Sequence, residues 1–253
     1  MIRRLLGQKT GAAVLGFAVV LVGCNDGTYV IGRFLDDGCA SHQDAIFCSG
    51  FERPDLSDWS RVIVVNDAHV EQTETRSFEG RGALHAASED QQSTAVVAKE
   101  FDPVTSGELY LRTHLYVPGG LPTRTMNIFF LGDFATPDPF EGVDFNLEDG
   151  ALSTYVPHDS PDRFTSTTLT IPRDRWFCMQ VHMTVADGDG ALTIDVDGQT
   201  GLDEKGMHTL PPGGIHLLRA GIDWSSLQTD PFDYYIDDLV LSRTAVDCDD
   251  PSP

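Results

Sequence analysis

From Arg175 to Gly198, hydrophobic and polar positions alternate in two runs separated by a glycine–aspartate turn. Phe177, Met179, Val181, Met183 and Val185 fall on one side of the first run; Trp176, Cys178, Gln180, His182 and Thr184 fall on the other. Beyond Asp187-Gly188-Asp189-Gly190, the return run sets Leu192, Ile194 and Val196 against Thr193, Asp195 and Asp197. A period of two sends alternate side chains to opposite faces of a strand, so the stretch predicts a β-hairpin with one face in a core. The Asp187–Gly190 segment lacks the further oxygen ligands of a calcium loop and reads as the turn itself.

The same pattern recurs along the chain. Leu109, Leu111, Leu115 and Val117 oppose Glu108, Tyr110, Arg112, His114 and Tyr116, and Pro118-Gly119-Gly120 stops that strand. Val143, Phe145 and Leu147 oppose Asp144, Asn146 and Glu148. Further strands are expected at Val62–Val65, Ala83–Ala86, Met126–Leu131, Ala151–Val156, Leu169–Ile171, Ile215–Ile222 and Tyr234–Leu241. No stretch after Cys24 carries a helical stripe longer than about two turns. Short strands punctuated by glycine and proline predict an all-β fold of two antiparallel sheets, with the domain spanning residues 46–248 and a short tail at 249–253.

The N-terminus adds an address. Arg3 and Arg4 precede an apolar run from Ala12 to Val22, too short to cross a bilayer and of the length of a signal-peptide core. Leu21-Val22-Gly23-Cys24 resembles the bacterial lipobox, which implies removal of residues 1–23, lipidation of Cys24 and a cell-envelope protein anchored to a membrane, the outer membrane or cell surface being expected. Residues 24–45, polar and without periodicity, read as a flexible tether. Cys39, Cys48, Cys178 and Cys248 then form an even set suited to two disulfides in an oxidising compartment. Cys48–Cys178 with Cys39–Cys248 is the expected pairing among three. The formal charge of −22 spreads over the whole chain; it excludes nucleic acid as a partner and leaves a hard cation such as calcium as a candidate ligand.

Several segments carry a resemblance in order. Phe47-Cys48-Ser49-Gly50-Phe51-Glu52 with Trp59, the strand Glu108–Pro118, Arg175-Trp176 with Leu192–Gly198, and Tyr235-Ile236-Asp237-Asp238-Leu239-Val240-Leu241 together resemble the concanavalin A-like lectin/glucanase superfamily, including its laminin-G-like domains. That resemblance implies a jelly-roll sandwich and a carbohydrate ligand. In related jelly rolls, carboxylates from the first and last strands resemble a structural calcium site, which implies Glu52, Asp237 and Asp238 as candidate metal ligands. Fold alone does not fix activity in a superfamily that includes lectins, hydrolases and lyases.

The residues themselves narrow the choice. Glu141, Asp144 and Glu148 are spaced E-x-x-D-x-x-x-E, not as the E-x-D-x-x-E of superfamily glycosidases, so that signature is absent. Planar amides, guanidinium and rings suit a hydroxyl-rich ligand, and Tyr110, Arg112, His114, Asn127, Gln180, His182 and Trp224 are the expected carbohydrate-binding set, with Asp144, Asn146 and Tyr155 joining if their strands are neighbours. Gln180-Val181-His182 resembles the Q-[IV]-H strand of jelly-roll alginate lyases, although the other two motifs of that family are missing. If the protein is a lyase, Gln180 and Arg112 would neutralise a uronate carboxylate, His182 or His114 would act as base, and Tyr110 or Tyr155 as acid. The leading expectation is a lipid-anchored carbohydrate-binding jelly roll without turnover. A polyuronate lyase and a structural or adhesive envelope protein are the alternatives.

Overall fold

The structure, a computed structural model, describes residues 42, 44–88, 93–119, 125–133, 141–148, 150–157, 163–225 and 231–249. The expected signal peptide, Cys24, most of the tether and Cys39 lie outside the described residues. Fifteen strands follow one another without a helix among the described residues. They are β1 (Ala45–Ser49), β2 (Arg61–Val65), β3 (His69–Thr73), β4 (Ala83–Ser88), β5 (Thr94–Val104) and β6 (Gly107–Tyr116). Next come β7 (Met126–Asp133), β8 (Glu141–Glu148), β9 (Ala151–Val156), β10 (Arg163–Thr170) and β11 (Trp176–Val185). The last four are β12 (Gly190–Val196), β13 (Gln199–Met207), β14 (Ile215–Ser225) and β15 (Phe232–Ser242).

All pairings are antiparallel and build two sheets. The first has eight strands in the order β13-β12-β11-β6-β15-β4-β3, with β1 also on β15; the second has seven, β10-β9-β8-β7-β14-β5-β2. β4 takes the Phe232–Ile236 half of β15 and β1 takes the Leu239–Ser242 half, so the two line one edge end to end. Alternation decides which side chains meet between the sheets. Met179, Val181 and Met183 of β11, Leu109, Leu111 and Leu115 of β6, and Val143, Phe145 and Leu147 of β8 all enter one buried core. At about 25 cal/mol per Å², this shared burial is the main term holding the sheets together. The predicted hairpin forms as β11 and β12, its turn using Gly188 at φ 85°.

One covalent expectation is corrected. Cys178 bonds to Cys248, with Cα atoms 6.0 Å apart, and not to Cys48. Cys178 faces away from the core, and the chain end crosses β11 there, placing Val246 against Cys48 and Val240. Cys48 is also in a disulfide, and its partner lies outside the described residues.

Candidate functional site

The proposed polar face divides between the two sheets. β6 and β11 pair so that Arg112 lies opposite Gln180, Tyr110 opposite His182 and His114 opposite Cys178, all on the outer side of the first sheet. Asn127 on β7, with Asp144, Asn146, Tyr155 and Trp224, belongs to the second sheet. The seven residues expected to line one groove therefore occupy opposite outer faces. Period two tells inside from outside, but it does not say which sheet a strand joins.

On the first sheet most of these groups already hold one another. Arg112 is 1% exposed, and its Nη2 donates to Asp238 Oδ1 at 3.0 Å while Nη1 lies 2.8 Å from Oδ2. His114 Nδ1 is 2.9 Å from that same Oδ2, and the two contacts on Oδ2 are close but poorly aligned as hydrogen bonds. Phe78 lies flat on the His114 ring, 3.5 Å between centroids. Gln180 Nε2 donates to the Val246 carbonyl at 2.9 Å, tying down the chain end beside the Cys178–Cys248 bridge. His182 stacks on Tyr110 at 4.4 Å and meets Glu108 Oε2 at 2.6 Å. A cleft of about 590 Å³ does open here, lined by Phe78, His114, Trp176, Gln180, Asp197 and Asp247 among others. Arg112, however, is sealed beneath it as the anchor of a buried ion network, a correction to its expected contact with a sugar.

The three carboxylates expected to hold calcium are engaged by protein groups. Asp238 is engaged by Arg112 and His114. Glu52 Oε1 accepts from the backbone N–H groups of Arg81 at 2.8 Å and Gly82 at 3.2 Å. Asp237 Oδ2 accepts from Phe78 and Glu79 N–H at 2.7 and 3.3 Å, and its Oδ1 from Asp238 N–H at 2.7 Å. Burial pushes Asp237 up to about 8, against the pull of those three N–H bonds. Glu52 and Asp237 thus grip one loop, residues 78–82, and the hydrogens of that loop point at the oxygens a cation would use.

The outer face of the second sheet holds a different cluster. Ladder pairing sets Arg219, Phe130, Asp144 and Tyr155 in one row across β14, β7, β8 and β9, and sets Trp224, Asn127, Asn146 and Ser153 in the next. Arg219 Nη1 donates to both oxygens of Asp223, at 2.7 and 2.9 Å, although the two are four residues apart on one strand. An irregular register between Ala220 and Trp224, with Gly221 at φ 120°, brings Asp223 back toward Arg219. Asn127 Nδ2 donates to Asp144 Oδ1 at 2.7 Å, while its own Oδ1 is buried without a hydrogen-bond partner. Burial first, and then the nearby Asp223 charge, push Asp144 up to about 7. Asp223 is also raised by burial, opposed by Arg219. Glu148, farther along β8, accepts from Thr125 and Ser153 hydroxyls at 3.1 and 3.4 Å. Trp224 remains 38% exposed beside the cluster.

Sequence reading missed Arg219 and Asp223. The signal was a glycine inside a strand between two opposite charges, Arg219-Ala220-Gly221-Ile222-Asp223, which marks a bulge. Chemically, the cluster offers a guanidinium, a carboxyl able to hold or release a proton near neutrality, an amide oxygen seeking a donor, and rings at its side.

Among solved structures the chain is similar to an endo-β-1,4-glucuronan lyase from the fungus Trichoderma reesei, with a TM-score of 0.64 and 14% identity over 78% of this chain and 96% of that one. The two folds coincide in two-sheet architecture. This is a jelly roll. The cellulose-induced protein Cip1 is similar at a TM-score of 0.59 and 15% identity, over 80% of this chain and 99% of that one. A structure of botulinum neurotoxin type C, whose cell entry depends on interaction with two ganglioside molecules, matches at 0.52 and 10% identity, and this chain covers 45% of it. No family model matches the sequence, and no curated protein does. At these identities the likeness is one of fold.

Proposed function

We propose that the protein binds a polysaccharide across the outer face of the second sheet, with Asn127, Asp144, Arg219 and Asp223 at the centre and Asn146, Tyr155 and Trp224 beside them. The observation that carries this reading is the Asn127–Asp144 pair. A carboxyl raised to about 7 and an amide oxygen without a partner stand mid-sheet on an outer face, where scaffold stability favours neither. A sugar hydroxyl can donate to Asn127 Oδ1, and Trp224 supplies a stacking ring. Jelly-roll architecture shared with a glucuronan lyase over nearly that enzyme's whole length supports a carbohydrate ligand. A glycan array on the wild-type chain and on Asn127→Ala tests the reading. Retention of a glycan by the wild type and its loss in the variant is expected; no retained glycan, or equal retention by both, defeats it.

Turnover by β-elimination is the second reading, favoured by the proton affinity of Asp144. Arg219 and protonated Asp144 would donate to a uronate carboxylate and acidify the C5 proton, and Tyr155, across the ladder from Asp144, would take that proton as base and return it to the leaving O4 as the C4–O4 bond breaks and the C4=C5 double bond forms. Ultraviolet absorbance of an unsaturated product from glucuronan, alginate or pectate checks it. The lipobox-like Leu21–Cys24 supports attachment of this domain to the cell envelope through a lipid on Cys24, which mass spectrometry of the membrane-extracted protein tests.

A further inference from the structure

At the far edge of the first sheet, β3 and β4 carry ring and carboxylate groups that neither proposed role uses. Val70, Leu84 and Ala86 pack inward, so His69 and Glu71 on β3 and His85 on β4 face outward, and the ladder sets Glu71 directly opposite His85. One ligand atom from each of His69, Glu71 and His85 lies within 4.8 Å of the others. The His85 and His69 rings meet edge to face at 5.3 Å.

A second contact orients this group. Asp233, on the neighbouring β15, places Oδ2 3.1 Å from His85 Nε2, and the Tyr235 ring stacks on the imidazole at 4.5 Å. A carboxylate on one ring nitrogen fixes the tautomer: Nε2 carries the hydrogen and Nδ1 keeps its lone pair. Nδ1 lies 3.7 Å from Glu71 Oε1. The separation is too long for a hydrogen bond. It is close to the ~3.4 Å between two ligands that share a tetrahedral ion on bonds of about 2.0–2.2 Å. Outside the buried His114–Asp238 network, the other histidine–carboxylate contacts, His182–Glu108, His208–Asp187 and His216–Asp133, are pairs at 2.6 to 3.3 Å, and among the described residues none of them has a third histidine, cysteine or carboxylate ligand beside it.

We infer that His69, Glu71 and His85 form a binding site for a divalent transition cation of the zinc type, with Asp233 as the carboxylate that orients His85. Two imidazoles and one carboxylate select borderline ions over calcium or magnesium, which prefer all-oxygen shells. Three protein ligands leave one position to water. The exposed His69 and Glu71 side chains can close the remaining ångström by rotation toward the fixed His85, and the acidic chain concentrates cations at its surface.

Zinc titration of the intact chain, free of any histidine tag, followed by calorimetry and by melting temperature, tests the site. The wild type is expected to take up one equivalent and to melt higher with zinc. His69→Ala and Glu71→Gln should each weaken uptake about tenfold or more, and Asp233→Asn about 10-fold, while their melting temperatures without metal stay near wild type. His69 and Glu71 are exposed, so those two variants decide the matter even where His85→Ala fails to fold. Absence of zinc uptake by the wild type overturns the inference. So does uptake that is unchanged in both His69→Ala and Glu71→Gln, since the ion would then lie elsewhere on the chain.

Discussion

At neutral pH Asp144 is near the midpoint of its titration, because burial and the Asp223 carboxyl hold it at about 7. An unfolded aspartate titrates near ~3.9. Between about pH 4 and pH 7 the folded chain therefore keeps a proton that the unfolded chain gives up, and stability falls as pH rises through that window. Asp223 and Asp237 are raised as well and slope in the same direction. Asp144→Asn cannot titrate, so melting temperature should vary less with pH across 4 to 7 than in the wild type; an unchanged profile would mean that Asp144 is not buried as described. Arg112 leads to a different expectation. It is buried against Asp238 and His114, so Arg112→Ala leaves a carboxylate uncompensated and should cost about 3–5 kcal/mol in chemical denaturation. Glycan retention by the surviving folded protein should persist, because Arg112 faces away from the second sheet.

Strands that bury one face were legible from alternation, and the apolar run of β7 was legible as a central strand, but β5 and β13 were missed. β6, β11 and β12 have the inward and outward residues that period two assigns. β5 carries Ala95-Val96-Val97-Ala98, buried on both sides, so nothing alternates. β13 is an edge strand whose Asp203, Glu204 and Lys205 break any alternation of apolar and polar positions. Pairing of whole elements was illegible for the same reason that the site was: Cys178 and Gln180 face outward, and only the path of the chain end across β11 shows that Cys248 and Val246 meet them. That bridge closes a 70-residue separation, which on the chain-entropy estimate stabilises by about 4 kcal/mol. Cys248→Ser should lower the unfolding free energy by a comparable amount. The loop at residues 78–82 is held through Glu52 and Asp237, and Gly80 has φ 64° with its would-be Cβ 2.0 Å from Glu52 Oε1. Gly80→Ala should therefore lower the melting temperature.

Across the whole molecule the strongest constraint on a ligand is charge. A formal −22 spread over 253 residues repels a polyuronate at long range, while Arg219 at the centre of the second sheet is already paired with Asp223. Long-range repulsion is screened by salt, with a Debye length near 10 Å at about 0.1 M, but a contact inside a buried cluster is hardly screened. Binding of a uronate polymer should therefore strengthen as sodium chloride is raised from about 0.02 to about 0.2 M, chiefly through the association rate. Binding of a neutral glucan should change little over the same range. A surface-plasmon titration with glucuronan and an uncharged β-glucan on parallel channels separates the two. If glucuronan binding weakens with salt, attraction by local cations dominates over the field of the chain, and the cluster around Arg219 would have to be open to the carboxylates in a way the Asp223 pair does not allow. If only the neutral glucan is held, the uronate reading and its β-elimination chemistry fall together, and the Asn127–Asp144 pair is left as a binding site for hydroxyls.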